Sequence, residues 1–370
     1  MHLARTLAAA LLFASSAAAQ EPQKSNLPST PPAAAPTAFA APDTSPLVHE
    51  GILNAPIADV WKGISTADGY KMWGVAKCEF DLKIGGKIRT HYNPDGTLGD
   101  DGTIEQEVLA FEPQRMLAVR ITKPPKDFPF KDAWKGTWSV ITLTDLGDNR
   151  THMRLAGMGY TAEPESQAMR KFFLTGNDFS MKKAQSFFDA SAKPPTGPAH
   201  TEDPLGDIHA QTIMPGTRAD IWNLLSTGAG WKRALGVDNN IELRTGGPFE
   251  LYFRKDAEEG QRGSEGCSVL SYLPEEMLSF TWNAPPEHSH ARAKHTWVVV
   301  RLDDAGPSRT RVRIDHLGFA GHAKAAPEHA DEWKEVRAHF ADAWPRVLEA
   351  MRRTAELDHP STPKPAPSAG

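Results

Sequence analysis

The stretch VLSYLPEEMLSFTWNAPP (269–286) occurs twice in this chain. Its twin, VLAFEPQRMLAVRITKPP (108–125), keeps valine, leucine, proline, methionine, leucine and the closing Pro-Pro in the same places, 7 identities in 18 at an offset of 161. A turn proline between two apolar, partly alternating runs reads as strand, turn, strand. The offset reaches beyond this unit. Asp59-Val60-Trp61 answers Asp220-Ile221-Trp222, Ser65-Thr66 answers Ser226-Thr227, and Gly85-Gly86 answers Gly246-Gly247. After a slip to 159, Thr137-Trp138 answers Thr296-Trp297 and Gly159 answers Gly318. Repeats of roughly 150 residues are far too long for a solenoid and mark a duplicated domain.

Sequence composition divides the rest. Residues 1–19 read as a signal peptide: His2 and Arg5, a short apolar run, then an Ala-x-Ala site. That run is too short for a membrane span, which needs about 20 apolar residues, so the expectation is export to a periplasmic or extracellular space without a transmembrane segment. Residues 20–46 form a Pro/Ala-rich tether and 357–370 a tail of the same character, both expected to be disordered. The first domain is expected at 47–190, a linker at 191–205 and the second domain at 206–356. The formal charge is -5, with no long basic run, which argues against nucleic acid and anionic membrane as partners. The two cysteines, Cys78 and Cys267, fall at unmatched places in the repeat. An oxidising compartment would allow them to pair, but duplication gives no reason for them to meet, and two separate buried thiols are the preferred reading.

Within each copy an opening strand (47–54; 207–214) leads to a short helix carrying the Asp-Val-Trp or Asp-Ile-Trp motif. DLKIGGKIRTHY (81–92) and ELRTGGPFELYF (242–253) then place Gly-Gly between strand-like runs, the signal of a two-residue hairpin. The spacing and following helix of a phosphate loop are missing. Four more strands follow, and each copy closes with helix. In the second, Trp333, Val336, Arg337, Phe340, Trp344, Val347, Leu348 and Met351 form one apolar stripe at spacings of three and four. Pro345 is expected to kink or restart that helix, and Gly176-Asn177 to interrupt its counterpart, which carries Met169, Phe172, Phe173, Met181, Phe187 and Phe188. The order is that of an α+β fold.

LSFTWNAPP, the glycine pair, the Asp-Ile-Trp helix and IDHLGF before a Trp-rich helix resemble the SRPBCC superfamily (START-like, helix-grip fold). Within it they most resemble the branch named after homologues of the heat-shock-protein ATPase activator. The resemblance covers about 47–190 and 206–356 and is stronger in the second copy. The first has Ile121 in place of Trp282 and Gly157 in place of His316. It implies two tandem domains, each a curved antiparallel sheet wrapped on a long C-terminal helix, with an apolar cavity between. It implies no particular chemistry, because known members include lipid and hormone carriers, polyketide cyclases and co-chaperone domains.

Strand alternation selects cavity walls. Phe280 and Trp282 share one side of their strand, and Ile314 and His316 share the apolar side of the last strand. With Phe340 from the helix stripe and Trp297, whose strand is apolar on both sides and leaves its face open, these form the candidate ligand site. His316 is the one titratable group placed inside. Glu287-His288-Ser289-His290, with His295 beyond, lacks the geometry of a metal site, so neither metal nor cofactor is expected. No serine-hydrolase elbow or zinc-protease motif is present. Three functions remain: a noncatalytic protein holding a small apolar molecule, a cyclase, dehydratase or hydrolase using His316, and a protein-interaction module. The absence of a paired acid and base favours the first over the second. Export speaks against the third, whose partner would be cytosolic. Of the two copies, the second is expected to hold the better-equipped pocket.

Overall fold

The computed structural model of the chain describes residues 41–147, 149–190 and 205–359, which fall into two compact units. The signal-like segment, residues 20–40 of the tether, 191–204 of the linker and 360–370 of the tail lie outside these residues. No helix among the described residues is long and apolar enough to cross a membrane.

The first unit runs β1 (Leu47–Leu53), α1 (Ile57–Ser65), α2 (Ala67–Trp73), β2 (Lys77–Phe80), β3 (Lys87–His91), β4 (Ile104–Glu112), β5 (Met116–Lys123), β6 (Trp138–Gly147), β7 (Arg150–Met158) and α3 (Pro164–Ala190). Its seven strands form one antiparallel sheet in the order β1-β7-β6-β5-β4-β3-β2. The second unit repeats the order: β8 (Ile208–Pro215), α4 (Arg218–Ser226), α5 (Gly228–Leu235), β9 (Asp238–Ile241), β10 (Phe249–Tyr252), β11 (Val269–Leu273), β12 (Met277–Trp282), α6 (Ser289–Arg292), β13 (Thr296–Asp304), β14 (Arg309–Leu317), α7 (Phe319–Ala325) and α8 (Ala330–Asp358). Here five strands form the sheet β11-β12-β13-β14-β8, and β9 and β10 form a separate ribbon joined to it by the Pro248–Ser268 bridge. The two tandem helix-grip domains read from the sequence are thus present, each with a long helix closing the sheet.

The repeated motifs have local causes. Ser-Thr recurs because Thr66 and Thr227 cap α2 and α5, their hydroxyls accepting from Gly69 N and Gly230 N at 3.0 and 3.1 Å. The Asp of Asp-Ile-Trp completes a capping box: Asp220 N donates to Thr217 Oγ1 while Asp220 Oδ2 accepts from Thr217 N at 2.8 Å. The first copy has Pro56 at the cap and no such box.

Three expectations need correction. The glycine pairs do not make two-residue hairpins, since β2 ends at Phe80 and β3 begins at Lys87. Instead they dock one strand further on, at β11 in the second unit and β4 in the first: Gly246 N donates to Val269 O at 2.7 Å and Val269 N to Gly247 O at 2.8 Å. Gly85, Gly86 and Val108 repeat this at 2.8 Å each. The closing helices are not interrupted. α3 passes through Gly176-Asn177 and α8 through the exposed Pro345, because burial of the apolar stripe on either side outweighs the weak helix propensity of the first pair and the one backbone bond that Pro345 lacks. Finally, Glu287-His288-Ser289-His290, which its sequence marks as a loop, is in part helical, beginning α6 at Ser289.

Residues 43–45 already belong to the first unit. Asp43 N donates to Gln167 Oε1 at 3.0 Å and its carboxylate meets Arg170 at 2.7 Å. Cys78 and Cys267 are free and buried, and burial pushes both thiols up to about 12.

Candidate functional site

Register decides which side chains meet. Phe280 pairs with Val298, and Val298 with His316; Trp282 pairs with Thr296. Cross-strand partners share a face, so Phe280, Trp282, Thr296, Val298 and His316 all look at α8. Its stripe of Trp333, Val336, Phe340, Trp344, Leu348 and Met351 is buried against them. Trp297 pairs with Thr281 and Leu317 and therefore lies on the opposite face, away from this group. That corrects its inclusion among the cavity walls: a strand apolar on both sides gave no alternation to read.

An apolar cavity of about 310 Å³ opens at one end of this interface. Its floor includes Trp282, Phe340, Trp344 and Val347. One wall is the strap 253–264, the other the Ala284-Pro285-Pro286 connection that follows β12. The rings of Trp282 and Trp344 stand 5.5 Å apart, tilted by 49°. Phe280 packs on Trp282 at 5.6 Å and stacks on Phe249 at 4.0 Å, fixing the floor from behind. The rim is polar: Arg254 pairs with Glu287 at 3.0 Å, Arg262 pairs with Glu265 at 2.7 Å and lies over the Tyr252 ring, and His339 sits beside Phe340. Burial holds the His339 imidazole below its ordinary value.

Of the six residues read from the sequence, Trp282 and Phe340 line the cavity. Phe280, Ile314 and His316 belong to the packed core, at 0 %, 1 % and 0 % exposure. The His316 ring has both nitrogens engaged. Trp344 Nε1–H donates to Nδ1 at 3.0 Å, and since an indole nitrogen only donates, Nδ1 carries no proton. Nε2–H then donates to Thr296 Oγ1 at 2.7 Å, whose hydroxyl donates onward to the Trp282 carbonyl at 2.9 Å. The chain Trp344–His316–Thr296–Trp282 is satisfied at every step and holds the two cavity tryptophans in place. Burial alone pushes the imidazole down to about 3, so it is neutral at ordinary pH.

Sequence reasoning put Trp344 on the apolar stripe but not among the cavity walls, and it missed the strap and Arg292. Trp344 had a usable signal, one helical turn beyond Phe340 on the same stripe. The strap and Arg292 had none, because they approach the site through loop geometry. Among the described residues no group of three or more His, Cys, Asp or Glu side chains is placed to hold a metal ion.

The matching place in the first unit is rebuilt. Aligning the buried stripes of α3 and α8 puts Phe173 with Phe340 and Asn177 with Trp344. Ile121, Phe173 and Asn177, with Gln106, Ser139 and Tyr160, surround a space of only about 20 Å³. Gly157 stands where the second unit has His316, and a Cβ there would lie 3.2 Å from the Tyr160 hydroxyl, so the tyrosine occupies the imidazole's room.

A family model described as Activator of Hsp90 ATPase homolog 1-like protein matches residues 54–183 and 216–356. A search of curated proteins gave no match. Among solved structures, the chain is similar to the di-domain ARO/CYC BexL from the BE-7585A biosynthetic pathway, at 10% identity over 85% of this chain and 99% of that one, TM-score 0.33. It is similar to protein MLL2253 from Mesorhizobium loti, at 20% identity over 39% of this chain and 96% of that one, TM-score 0.32. It is also similar to Aha1 from Colwellia psychrerythraea, solved as a dimer, at 15% identity over 38% of this chain and 95% of that one, TM-score 0.29.

Proposed function

Since the chain belongs to the family of activator of Hsp90 ATPase homolog 1-like proteins, we propose that it is a binding protein that holds one small apolar molecule in the cavity of its second unit. The observation that carries this reading is the cavity of about 310 Å³ with an aromatic floor and a polar rim. That is the composition of a small-molecule site, at the lower end of its usual size range. The paired Trp282 and Trp344 offer ring faces to a flat apolar ligand. The reading of an enzyme that uses His316 has less support. A general base must reach its substrate or a bridging water, and His316 lies behind the tryptophans with both nitrogens committed. On the N-terminal sequence, the proposal includes export; N-terminal sequencing of the protein isolated from its producing cell would give Gln20 or Glu21 if the signal is cut.

Native mass spectrometry of the purified full chain tests the main reading. A bound small molecule should co-purify and be lost from Trp282→Ala, and the same variant should bind 1-anilinonaphthalene-8-sulfonate more weakly. Removing a buried tryptophan costs about 3–5 kcal/mol, so a melting curve must accompany the titration. A folded Trp282→Ala variant that binds the dye like wild type would place the site elsewhere.

A further inference from the structure

One buried side chain makes most of the bonds across the mouth of the cavity. Arg292, the last residue of α6, has a side chain only 12% exposed. Its guanidinium has five N–H donors, and four of them donate to backbone carbonyls. Nη1 donates to Ala284 O at 2.6 Å, Nη2 to Gly260 O at 2.6 Å and Gly263 O at 2.8 Å, and Nε to Gly260 O at 3.1 Å. Glu265 stands 3.8 Å away as counter-charge. Gly260 and Gly263 belong to the strap, whereas Ala284 belongs to the connection after β12, and both segments wall the cavity. The guanidinium therefore spans the mouth.

Little else ties the strap across. Its backbone bonds run within its own hairpin, Arg254 N to Arg262 O at 2.8 Å and Ser264 N to Leu251 O at 3.0 Å. Asn283 Nδ2 reaches Glu265 O at the strap's root, at 2.9 Å. The Arg254–Glu287 pair also crosses, but both side chains are about half exposed, at 54% and 53%, and exposed pairs contribute little. In the first unit the corresponding loop is closed by main chain as well, Lys126 N donating to Asp101 O at 2.8 Å. A main-chain bond cannot rotate away without moving the chain; a side chain can.

We propose that Arg292 is the latch of the cavity, a positioning residue that sets how readily a ligand passes the mouth. Releasing Gly260 and Gly263 while keeping Ala284 frees the strap without disturbing the tryptophan floor. This rests on the binding reading above. Arg292 also lines the cavity mouth, but its bonds run to strap and connection carbonyls and not to the tryptophan floor, so its release acts on rates more than on affinity, and Arg292→Lys separates loss of the fork from loss of the charge.

The test uses the full chain and 1-anilinonaphthalene-8-sulfonate in stopped flow, with hydrogen exchange of the strap amides as a ligand-free readout. In Arg292→Ala, association and dissociation should both rise by about tenfold, with Kd changed by less than about threefold, and the amides of 255–264 should exchange faster. Arg292→Lys, which keeps the charge but not the fork, should fall between, and it replaces the alanine variant if that fails to fold. Unchanged exchange in a folded variant overturns the latch. Faster exchange with unchanged rates reduces Arg292 to a structural brace and overturns the gate. Wild-type protein that does not bind the dye would sink the binding reading and the gate together. Wild type that binds it, with rates indifferent to Arg292, would sink only the gate.

Discussion

His316 shows how a residue can be placed correctly from the sequence and still be given the wrong work. Alternation along β14 put it on the inner face with Ile314, and the register confirms that placement. What alternation could not supply was its partners: Trp344 arrives from a helix 28 residues away and Thr296 from another strand. Those partners turn a candidate ligand contact into a strut. The consequence is a pH dependence with a definite sign. The unfolded chain protonates this imidazole near its ordinary value of about 6.5, whereas burial holds the folded one down to about 3. His316 therefore leaves stability intact above about pH 6.5 and erodes it as pH falls from there toward 3, by at most about 1.4 kcal/mol per pH unit. Burial also lowers His295, His322 and His339, so wild type is compared with His316→Gln, whose amide offers both a donor and an acceptor. Between pH 6.5 and about 4.5, above most carboxylate titrations, urea unfolding should show a shallower loss of stability in the variant. Parallel curves would mean that His316 is not the group refusing the proton.

At the scale of elements, the sequence was most legible where one period ran long. The stripe of α8 was read residue by residue, and Trp333, Val336, Phe340, Trp344, Leu348 and Met351 are all buried. It was least legible where a local signal met a tertiary contact. Gly246-Gly247 looked like a hairpin tip because glycine pairs usually are; its work is to let the chain pass close against β11. The two glycines separate cleanly. Gly246 has φ 77° and open space beside it, so Gly246→Ala should cost about 1–2 kcal/mol from the left-handed backbone alone. Gly247 lacks positive φ, but a Cβ would stand 2.4 Å from Glu242 O and 3.0 Å from Arg244 O, both backbone atoms that cannot step aside. Gly247→Ala should lower the melting temperature more than Gly246→Ala. The reverse order would mean that dihedral strain, not close approach, fixes this pair. Helix continuity through Pro345 was illegible for the opposite reason. A local rule predicts a break, and burial on both sides of the proline overrides it.

For the whole molecule, the duplication was plain in the sequence, while the fate of the two sites was only half so. Ile121 for Trp282 and Gly157 for His316 marked the first copy as different, yet neither substitution says whether its pocket is enlarged or filled. Gly157 could have left a hole. Tyr160 fills it, and Asn177 stands in line with Trp344, so the first unit keeps about 20 Å³ where the second has about 310 Å³. A space of about 20 Å³ holds a water and no ligand. The chain should therefore bind one molecule of dye, not two. Isothermal titration of the full chain with 1-anilinonaphthalene-8-sulfonate should give a single class of sites at one per chain, weakened by Trp282→Ala and little changed by Ile121→Ala. Residues 205–359 alone should fold cooperatively and retain that site, because the cavity's floor, walls and latch all come from the second unit. Two sites per chain, or equal losses from the two substitutions, would show that the first unit opens in solution to a volume its packing denies. Binding by the full chain but not by a folded 205–359 fragment would show that the first unit contributes to a site whose lining it does not supply.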